Sequence, residues 1–488
     1  MSSSIGKGFR RICAIVIWAV CSISSADPPR PNILFIGVDD LKPLLGAYGV
    51  EGIRTPNIDA LGEKGFLFLN NHCQQAVCSP SRASLLTGKR PDYIRMWDLN
   101  TMLRSAKPDI LTLPQHFKNN GYKTAAVGKI FDVRSVDKDH DARSWTIPYR
   151  KIEASSPIGG GWVYETERVS TEAPVVEDSA TMDGQVLAES MDLLDEMAAG
   201  GSPFFLAVGF HKPHLPFVAP KKYWDLYDRE TIDLAAFREH SEGTPEFAFQ
   251  PGWEIRSLYT DIPEDYSVPI SEEKQRELIH GYYACVSFID AQVGRLLSHL
   301  EELGVGDETI VVLWGDHGWH LGDHGMWCKH TNFEQATRSP LIFAGPDVPV
   351  GNTNAPTEFI DIFPTLCTLA GLDVPDHLDG DDLVSLMNGN PHSGEEFAVS
   401  QYPRRSTMMG YAFRNERFRY VIWMGESYRT YEPFSWDLVV AEELYDYAED
   451  PLETVNLVAS PEYSEVRRTM SDTAVGFFSD QYDKFQSE

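Results

Sequence analysis

Three short apolar runs, each followed by polar residues, are prominent along the chain. They cover residues 32–38, 204–209 and 309–314, and none of them alternates apolar with polar positions. Strands that are buried on both faces have this continuous pattern, as in a mainly parallel sheet that helices cover. The sequence therefore predicts that these runs are strands of one such sheet.

Helical periodicity separates these runs and is clearest over residues 278–300, where apolar side chains recur every three or four positions. Alternating strands and helices predict an α/β sandwich, with a large, mainly parallel sheet between helices. Further on, residues 414–423 and 443–447 are typical of antiparallel strands, and the tail is typical of a helix. We therefore expect a smaller C-terminal α+β subdomain with a short antiparallel sheet.

Turn-forming residues at 388–391 (NGNP) mark the expected boundary between these two parts. We expect a catalytic domain over residues 27–390 and the C-terminal subdomain over residues 391–488. Residues 229–272 are polar, contain Pro and Gly and show little periodicity, which is typical of a long insertion near a site. The sequence assigns that insertion no role.

Polar side chains follow each predicted strand. Asp39 and Asp40 follow the first run, His214 lies shortly after the second, and Asp316 and His317 follow the third. Ligands of open α/β sheets bind beyond the carboxyl ends of the strands. We therefore expect these five side chains to meet at one edge of the sheet.

Composition narrows the function classes. The 488 residues are 42% hydrophobic, which is enough for a large packed core, and 42 Lys and Arg stand against 72 Asp and Glu, for a formal net charge of −30. Nucleic-acid binding needs a surplus of basic side chains, so this charge argues against nucleic acid as a general partner. An anionic substrate needs a local cationic pocket.

The N-terminus has the pattern of a secretory signal peptide over residues 1–26, with three basic residues, an apolar run over residues 12–20 and a Ser-Ser-Ala ending. That run is too short to span a bilayer, and no other stretch approaches about 20 apolar residues. We expect a secreted or periplasmic protein without permanent membrane insertion; a lipoprotein attached through Cys21 is the alternative. The chain has no Asn-x-Ser/Thr acceptor, which favours a bacterial source.

The most specific motif is CSPSR at residues 78–82, followed by Thr-Gly at residues 87–88. Pro80 can open a helix whose first turn has unpaired N–H groups. Cys78 and Arg82 would then lie at an electropositive helix end that suits a tetrahedral anion. A buried cysteine before an ordinary helix has the same local pattern, so both interpretations stay open on physical grounds.

This motif resembles the signature of type I sulfatases, Cys-x-Pro-Ser-Arg followed by Thr-Gly. Further segments are similar to the iduronate-2-sulfatase branch of that family, namely residues 32–56, 74–91, 202–217, 316–333 and 401–404. The resemblance implies an alkaline-phosphatase-like fold and a sulfuric ester hydrolase. It implies removal of a 2-O-sulfate from a uronic acid of a sulfated glycan.

The resemblance also implies the chemistry of Cys78. In this family a maturation enzyme oxidises the cysteine to formylglycine, whose hydrate attacks sulfur and expels the sugar alcohol. A second hydroxyl then expels sulfate and regenerates the aldehyde. The implied partners are a formylglycine-generating enzyme and a sulfated oligosaccharide.

Asp39, Asp40, Asp316 and His317 match the metal-binding positions of the family, with the formylglycine at position 78 completing the set. Oxygen ligands suit a hard cation, so the resemblance implies one Ca²⁺, with Mg²⁺ less suitable. Outside this pattern, two adjacent acids after a strand are more typical of a helix cap. His317 is a less usual ligand for Ca²⁺, and it resembles the iduronate-2-sulfatase branch, whereas many sulfatases have Asn there.

Four cationic or ionisable side chains match further positions of the family. Arg82 and Lys129 match groups that hold formylglycine and sulfate oxygens by charge-assisted hydrogen bonds. His214 and Lys329 match groups that bind sulfate and protonate the leaving alkoxide. His211 competes with His214, which we prefer because the family pattern has the functional His before x-Pro.

Position 132 departs from the branch, which usually has Gly-Lys-x-Phe-His where this chain has Asp132. The missing His normally serves as the base that helps to eliminate sulfate. Asp132 is the candidate replacement, although a carboxylate beside sulfate adds repulsion. His140, in the following loop, is the alternative base.

Trp319 flanks the site motif and is a candidate for packing against a sugar ring, although ordinary core packing explains it equally well. Two further functions stay open. One is a phosphodiesterase or phosphonate monoester hydrolase that uses the same formylglycine and metal. The other is a sulfated-glycan-binding protein that has lost turnover through Asp132.

Overall fold

The computed structural model describes residue 1 and residues 30–152, 168–390 and 396–487. Residues 2–26 of the predicted signal peptide lie outside the described residues, and so do residues 391–395 at the predicted domain boundary. Among the described residues, no helix is both long and apolar enough to cross a membrane. The five cysteines of this part of the chain are buried and free.

Seventeen strands and thirteen α-helices are assigned within the described residues. The strands are β1 (Asn32–Val38), β2 (Phe66–Phe68), β3 (Asn71–His72), β4 (Lys123–Gly128), β5 (Thr171–Glu172), β6 (Phe204–Phe210), β7 (Phe217–Val218), β8 (Thr309–Gly315), β9 (His320–Leu321), β10 (Trp327–Cys328), β11 (Leu341–Ala344), β12 (Gly351–Thr353), β13 (Thr357–Glu358), β14 (Ala398–Arg404), β15 (Met408–Arg414), β16 (Phe418–Met424) and β17 (Val439–Asp446). The helices are α1 (Pro56–Lys64), α2 (Cys78–Thr87), α3 (Pro91–Ile94), α4 (Leu103–Ala106), α5 (Leu113–Asn119), α6 (Met182–Ala198), α7 (Lys221–Trp224), α8 (Trp253–Leu258), α9 (Glu272–Glu302), α10 (Glu334–Thr337), α11 (Ile362–Leu369), α12 (Val384–Met387) and α13 (Ser464–Ser487).

The main sheet has seven strands in the order β12-β2-β11-β8-β1-β6-β4. The strands β8, β1, β6 and β4 are parallel, whereas β11 runs antiparallel to both of its neighbours. The three apolar runs of the sequence are the adjacent interior strands β8, β1 and β6, and every residue in them is buried. The prediction of a mainly parallel sheet that is buried on both faces is confirmed.

Helices cover both faces of this sheet. Along β1, Leu34 and Ile36 pack into a core with α6 and α9, while Ile33 and Phe35 pack into a second core with α2, α5 and α11. This division follows from the alternation of side chains along a strand. The long helix α9 begins after Ser271, whose hydroxyl accepts a hydrogen bond from the backbone N–H of Lys274.

The C-terminal part forms a four-stranded antiparallel sheet in the order β14-β15-β16-β17. The helix α13 packs on it, with Phe477 and Phe478 against Phe413 at ring-centroid distances of 5.4 and 5.8 Å. The predicted antiparallel sheet and the helical tail are confirmed. The domain boundary at residue 390 stays a prediction.

Candidate active site

The acids and the histidine that follow the central strands lie together at the carboxyl edge of the sheet. Because β1 pairs in parallel with β8, with Val38 opposite Gly315, the residues after both strands emerge side by side. The backbone N–H of Asp40 donates to Oδ1 of Asp316 at 2.9 Å, and Nε2 of His317 lies 3.3 Å from Oδ1 of Asp40. Parallel pairing therefore joins positions that are 276 residues apart.

Helix α2 begins at Cys78, at this edge of the sheet. The Sγ atom of Cys78 lies 3.5 Å from Nε2 of His317 and 3.9 Å from Oδ1 of Asp40. Burial, together with the negative charge of Asp39, raises the pKa of the Cys78 thiol well above its usual value. A thiol that stays protonated is a weak nucleophile, so the cysteine is poorly suited to attack in this unmodified form.

Arg82, one turn along α2, is completely buried and binds both sides of the sheet edge. Its Nε donates to Oδ2 of Asp316 at 2.9 Å, and its Nη2 donates to Oδ1 of Asp39 at 3.0 Å. Its Nη1 donates to the backbone carbonyl groups of Lys129 and Ile130. The guanidinium therefore joins three strand ends in fixed positions.

Lys129 follows β4 and extends toward the same carboxylates. Its Nζ donates to Oδ2 of Asp39 at 2.6 Å. Burial alone would raise the pKa of the Asp39 carboxyl, but the charges of Lys129 and Arg82 outweigh it and hold the pKa well below its usual value. Asp39 is therefore an anion between two cations.

Lys329 and His214 approach Asp40 from two other segments. The Nζ of Lys329 donates to both carboxylate oxygens of Asp40 at 3.0 Å, and Nε2 of His214 lies 3.8 Å from Oδ2. Burial and the nearby charge of Lys329 hold the pKa of His214 well below its usual value. The competing His211 instead contacts Asp183 on α6, with Nδ1 at 3.2 Å from Oδ1.

Trp319 is completely buried, so its ring has no exposed face. The Nζ of Lys329 lies 4.9 Å from the centroid of this ring, and Phe217 packs edge-on against it at 6.3 Å. A cation over the face of an indole is attracted by the ring quadrupole. In this structure Trp319 therefore supports Lys329.

The donor atoms at the sheet edge fit a divalent cation. One oxygen or nitrogen atom from each of Asp40, Asp316 and His317 lies within 4.8 Å of the others and of the sulfur of Cys78, and Asp39 belongs to an overlapping set. Burial and the neighbouring Asp39 and Asp316 raise the pKa of the Asp40 carboxyl well above its usual value, against the opposing charge of Lys329. A hard cation with oxygen ligands would offset this repulsion.

Asp132 lies next to Lys129 and is held by an arginine. Its carboxylate accepts two hydrogen bonds from Arg134, at 2.9 and 2.8 Å, and lies 3.9 Å from Nζ of Lys129. Burial alone would raise the pKa of Asp132, but the Arg134 hydrogen bonds and the charge of Lys129 hold it below its usual value. His140 stacks on Tyr149 with the ring centroids 3.7 Å apart, and burial lowers its pKa to about 4.

Two residues of this region carry no recognisable signal in the sequence. Arg134 forms the ion pair with Asp132, and Glu254, from the segment of residues 229–272, contacts Lys329 and His214. A single charged residue in a polar, non-periodic segment resembles a solvated surface residue. Only the tertiary contacts distinguish it.

The family described as Sulfatase matches residues 31–372, most of the chain. The chain belongs to the sulfatase family. A second family, described as N-sulphoglucosamine sulphohydrolase, C-terminal, matches residues 322–476 of this sulfatase. The matches include both the edge of the main sheet and the C-terminal sheet.

Curated relatives extend over nearly the whole sulfatase. The iduronate 2-sulfatase of Homo sapiens is 36% identical over 501 residues, covering 87% of this chain and 90% of the relative. A sulfatase of Formosa agariphila is 32% identical and the choline-sulfatase of Rhizobium meliloti is 31% identical. Each match covers 88% of this chain and 83% of the relative.

Solved structures share the fold of this sulfatase at lower identity. A 2-O GAG sulfatase superposes with a TM-score of 0.66 at 23% identity, covering 94% of each chain. The phosphonate monoester hydrolase of Agrobacterium radiobacter superposes with a TM-score of 0.73 at 24% identity, covering 93% of this chain and 96% of the other. Both likenesses bear on the fold alone.

Proposed function

We propose that this sulfatase removes a 2-O-sulfate from a uronic acid of a sulfated glycan, using a formylglycine made from Cys78 and one divalent cation. The observation that carries the proposal is the junction at the start of α2. There Cys78 faces Asp40 and His317, and Arg82 joins Asp39 to Asp316. The substrate is proposed from the 36% identity to iduronate 2-sulfatase.

Formylglycine would supply at position 78 the hydroxyl nucleophile that the buried thiol does not provide. A separate formylglycine-generating enzyme would make it, and it would act before or during folding because Cys78 is only 1% exposed in the folded chain. The unusually high pKa of the thiol supports this assignment, since an ionised thiolate is what a cysteine nucleophile needs.

Asp39, Asp40, Asp316 and His317 would hold the cation, for which we propose Ca²⁺, together with the modified residue 78. When bound, the cation would polarise the sulfuryl oxygens and orient the nucleophile. The carboxylate-rich donor set favours a hard ion over a soft one. Mg²⁺ is less suitable because it demands a smaller, more regular shell.

The buried cations would bind the sulfate monoester. Arg82 is held rigidly from both sides, and Lys129 and Lys329 each lie within 3.0 Å of a carboxylate oxygen of the site. In a buried site, such charges act on the sulfate oxygens more strongly than they would in solution. Lys329 and His214 would protonate the leaving sugar oxygen, and the negative charge of the bound sulfate would raise the lowered pKa of His214 so that it can hold that proton.

Asp132 would take the place of the missing base and accept the proton when sulfate is eliminated. Its ion pair with Arg134 keeps it anionic. The same pair offsets part of the repulsion between this carboxylate and sulfate, because the guanidinium brings a compensating positive charge. We expect slow turnover, since a carboxyl with a lowered pKa is a weak base.

The test is the mass of the peptide that spans residues 74–90, after coexpression with a formylglycine-generating enzyme, alongside sulfate release from a disaccharide with a 2-sulfated uronate. We expect an aldehyde at position 78 and sulfate release. Cys78→Ala should abolish release, whereas Cys73→Ala, a buried cysteine in the same segment, should retain it. An aldehyde without release from any sulfated uronate or aryl sulfate would refute the proposed activity.

A phosphonate monoester hydrolase is the second candidate, because one such enzyme shares the fold over 93% of this chain. Turnover of an aryl phosphonate should be compared with turnover of the matching aryl sulfate by the same matured protein. We expect preference for the sulfate. A clear preference for the phosphonate would favour the second candidate.

We also propose that the protein is exported and acts in the periplasm or outside the cell. The support is the signal-peptide pattern over residues 1–26. Sequencing the N-terminus of the exported protein should find Asp27 as the first residue. An intact N-terminus on exported protein, or exclusive recovery from the cytoplasm, would contradict it.

A further inference from the structure

A short helix from the polar insertion brings a carboxylate into the buried site. Glu254, on α8, is only 7% exposed. Its Oε1 lies 3.4 Å from Nζ of Lys329 and 3.5 Å from Nε2 of His214. Its Oε2 lies 3.8 Å from Nε2 of His330 and has no hydrogen-bond partner among the residues that the structure describes. A buried carboxylate oxygen without a partner is costly and needs an explanation.

We propose that Glu254 is a positioning residue for the leaving-group side of the reaction, which holds Lys329 and His214 where they can give a proton to the departing oxygen. The inference rests on the proposed sulfatase chemistry. It adds a residue from the insertion to that chemistry, and it gives the insertion a role.

The contacts of Lys329 explain why a second carboxylate matters. An ammonium group has three N–H donors and no preferred direction of its own. The Nζ of Lys329 donates to Asp40 at 3.0 Å and to Oε1 of Glu254 at 3.4 Å. The same Nζ lies 4.9 Å from the centroid of the Trp319 ring. Three separate segments therefore determine where the ammonium lies.

Glu254 also links the two proposed donors to each other. Its Oε1 is the atom that both Lys329 and His214 approach, at 3.4 and 3.5 Å. One oxygen shared between an ammonium and an imidazole keeps their nitrogens near a common point. A sugar oxygen that binds beside these two nitrogens, next to Oε1 of Glu254, would be within reach of both donors, which is the geometry that general-acid catalysis requires.

The proton balance is simple. As a hydroxyl oxygen of the modified residue 78 bonds to sulfur, the S–O bond to the sugar breaks, and the sugar oxygen keeps the bonding electron pair and takes one proton from Lys329 or His214. Solvent replaces that proton before the next turnover. Glu254 neither gains nor loses a proton, and it acts only through the positions of the two donors.

This role makes the effect of Glu254 depend on the leaving group. A sugar alcohol is a poor leaving group and needs the proton, whereas 4-nitrophenolate departs without one. General-acid catalysis increases the rate of such a step on the order of 10²–10⁴-fold. Glu254→Gln should loosen the donors and lose part of that rate enhancement. We expect kcat/KM, which reports the step in which the phenol leaves, to fall on the order of 10-fold more for phenyl sulfate than for 4-nitrophenyl sulfate.

The experiment measures kcat and KM of the matured enzyme for a series of aryl sulfates whose phenols range from 4-nitrophenol to phenol. In Glu254→Gln the fall of log kcat/KM with phenol pKa should be steeper than in the wild-type enzyme. Glu254→Asp, which keeps the charge, should recover part of the slope. Glu246→Gln, the same change at an exposed position of the same insertion, should leave the slope unchanged.

The outcomes separate positioning from other roles. An equal loss of kcat/KM on all aryl sulfates would indicate a structural role and would overturn the proposal, as would a leaving-group slope identical to that of the wild-type enzyme. If Glu254→Gln does not fold, the test is the dependence of the rate on phenol pKa in Glu254→Asp. A slope in that variant equal to the wild-type slope refutes the inference. Because the series contains no sugar, a failure of the uronate substrate would count against the proposed function and leave this test intact.

Discussion

Glu453 offers the sharpest test of how the C-terminal sheet is tied to the rest of the protein. Its Oε1 accepts hydrogen bonds from Nε of Arg419 at 2.5 Å and from the hydroxyl of Tyr447 at 2.6 Å. Its Oε2 lies 3.8 Å from Nε2 of His324, which belongs to the part of the chain that carries the site. Both members of the Glu453–Arg419 pair are buried.

The contribution of ionised Glu453 to the free energy of unfolding follows from its pKa. Burial alone would raise the pKa of Glu453, but the charge of Arg419 and the nearby His324 lower it from 4.5 to about 2. That difference corresponds to about 3 kcal/mol of stability at neutral pH. Because the folded pKa is depressed, this contribution is fully present above pH 4.5 and is lost as the pH falls toward 2.

We therefore expect Glu453→Gln to lower the free energy of unfolding by about 3 kcal/mol at pH 7, within the range for breaking a buried ion pair. The assay is urea unfolding of both proteins, followed by near-ultraviolet circular dichroism, at pH 7, 5 and 3.5. The difference should stay constant down to about pH 5 and fall to about 2 kcal/mol at pH 3.5.

The matched control is Glu449→Gln, the same change at an exposed position four residues earlier, where the nearest cation is Arg417 at 4.0 Å. It should change the stability by less than about 0.5 kcal/mol. A difference for Glu453→Gln that is below about 1 kcal/mol at pH 7, or that does not depend on pH, would refute the reasoning.

Three further predictions concern the site. Asp132→Asn should lower the free energy of unfolding by about 1–3 kcal/mol, because Arg134 loses a charged acceptor; urea unfolding that matches the wild type would contradict this. Gly209→Ala should lower both the thermal midpoint and sulfate release, because its Cβ would lie 2.1 Å from the carbonyl oxygen of Lys129, whereas Gly476→Ala, with open space around its Cβ, should lower neither. A chelator should lower the thermal midpoint and added Ca²⁺ should restore it, since the carboxylates of the site converge only in the folded chain; an unchanged midpoint argues against a bound cation.

Much of the fold is predictable because its signals are local. The continuous apolar runs predict strands that are buried on both faces, and β8, β1 and β6 are three adjacent interior strands of the sheet. Parallel pairing then brings the ends of all three runs to one edge, so Asp40, Asp316 and His214 can be grouped from the sequence. The antiparallel direction of β11 has no comparable signal, because strand direction depends on the path of the chain between strands.

The sequence by itself determined the sheet, its polar edge and the motif at residues 78–82, because periodicity and strand ends depend on neighbouring residues. Only the tertiary structure decided which other charges reach that edge. Glu254, from a segment without periodicity, contacts Lys329. Arg134 binds the carboxylate of Asp132, and His140 stacks on Tyr149. The physical reason is that such contacts depend on the path of the backbone around both partners, which local periodicity does not record. This holds both for Asp132 and Arg134, which are two residues apart, and for Glu254 and Lys329, which are 75 residues apart.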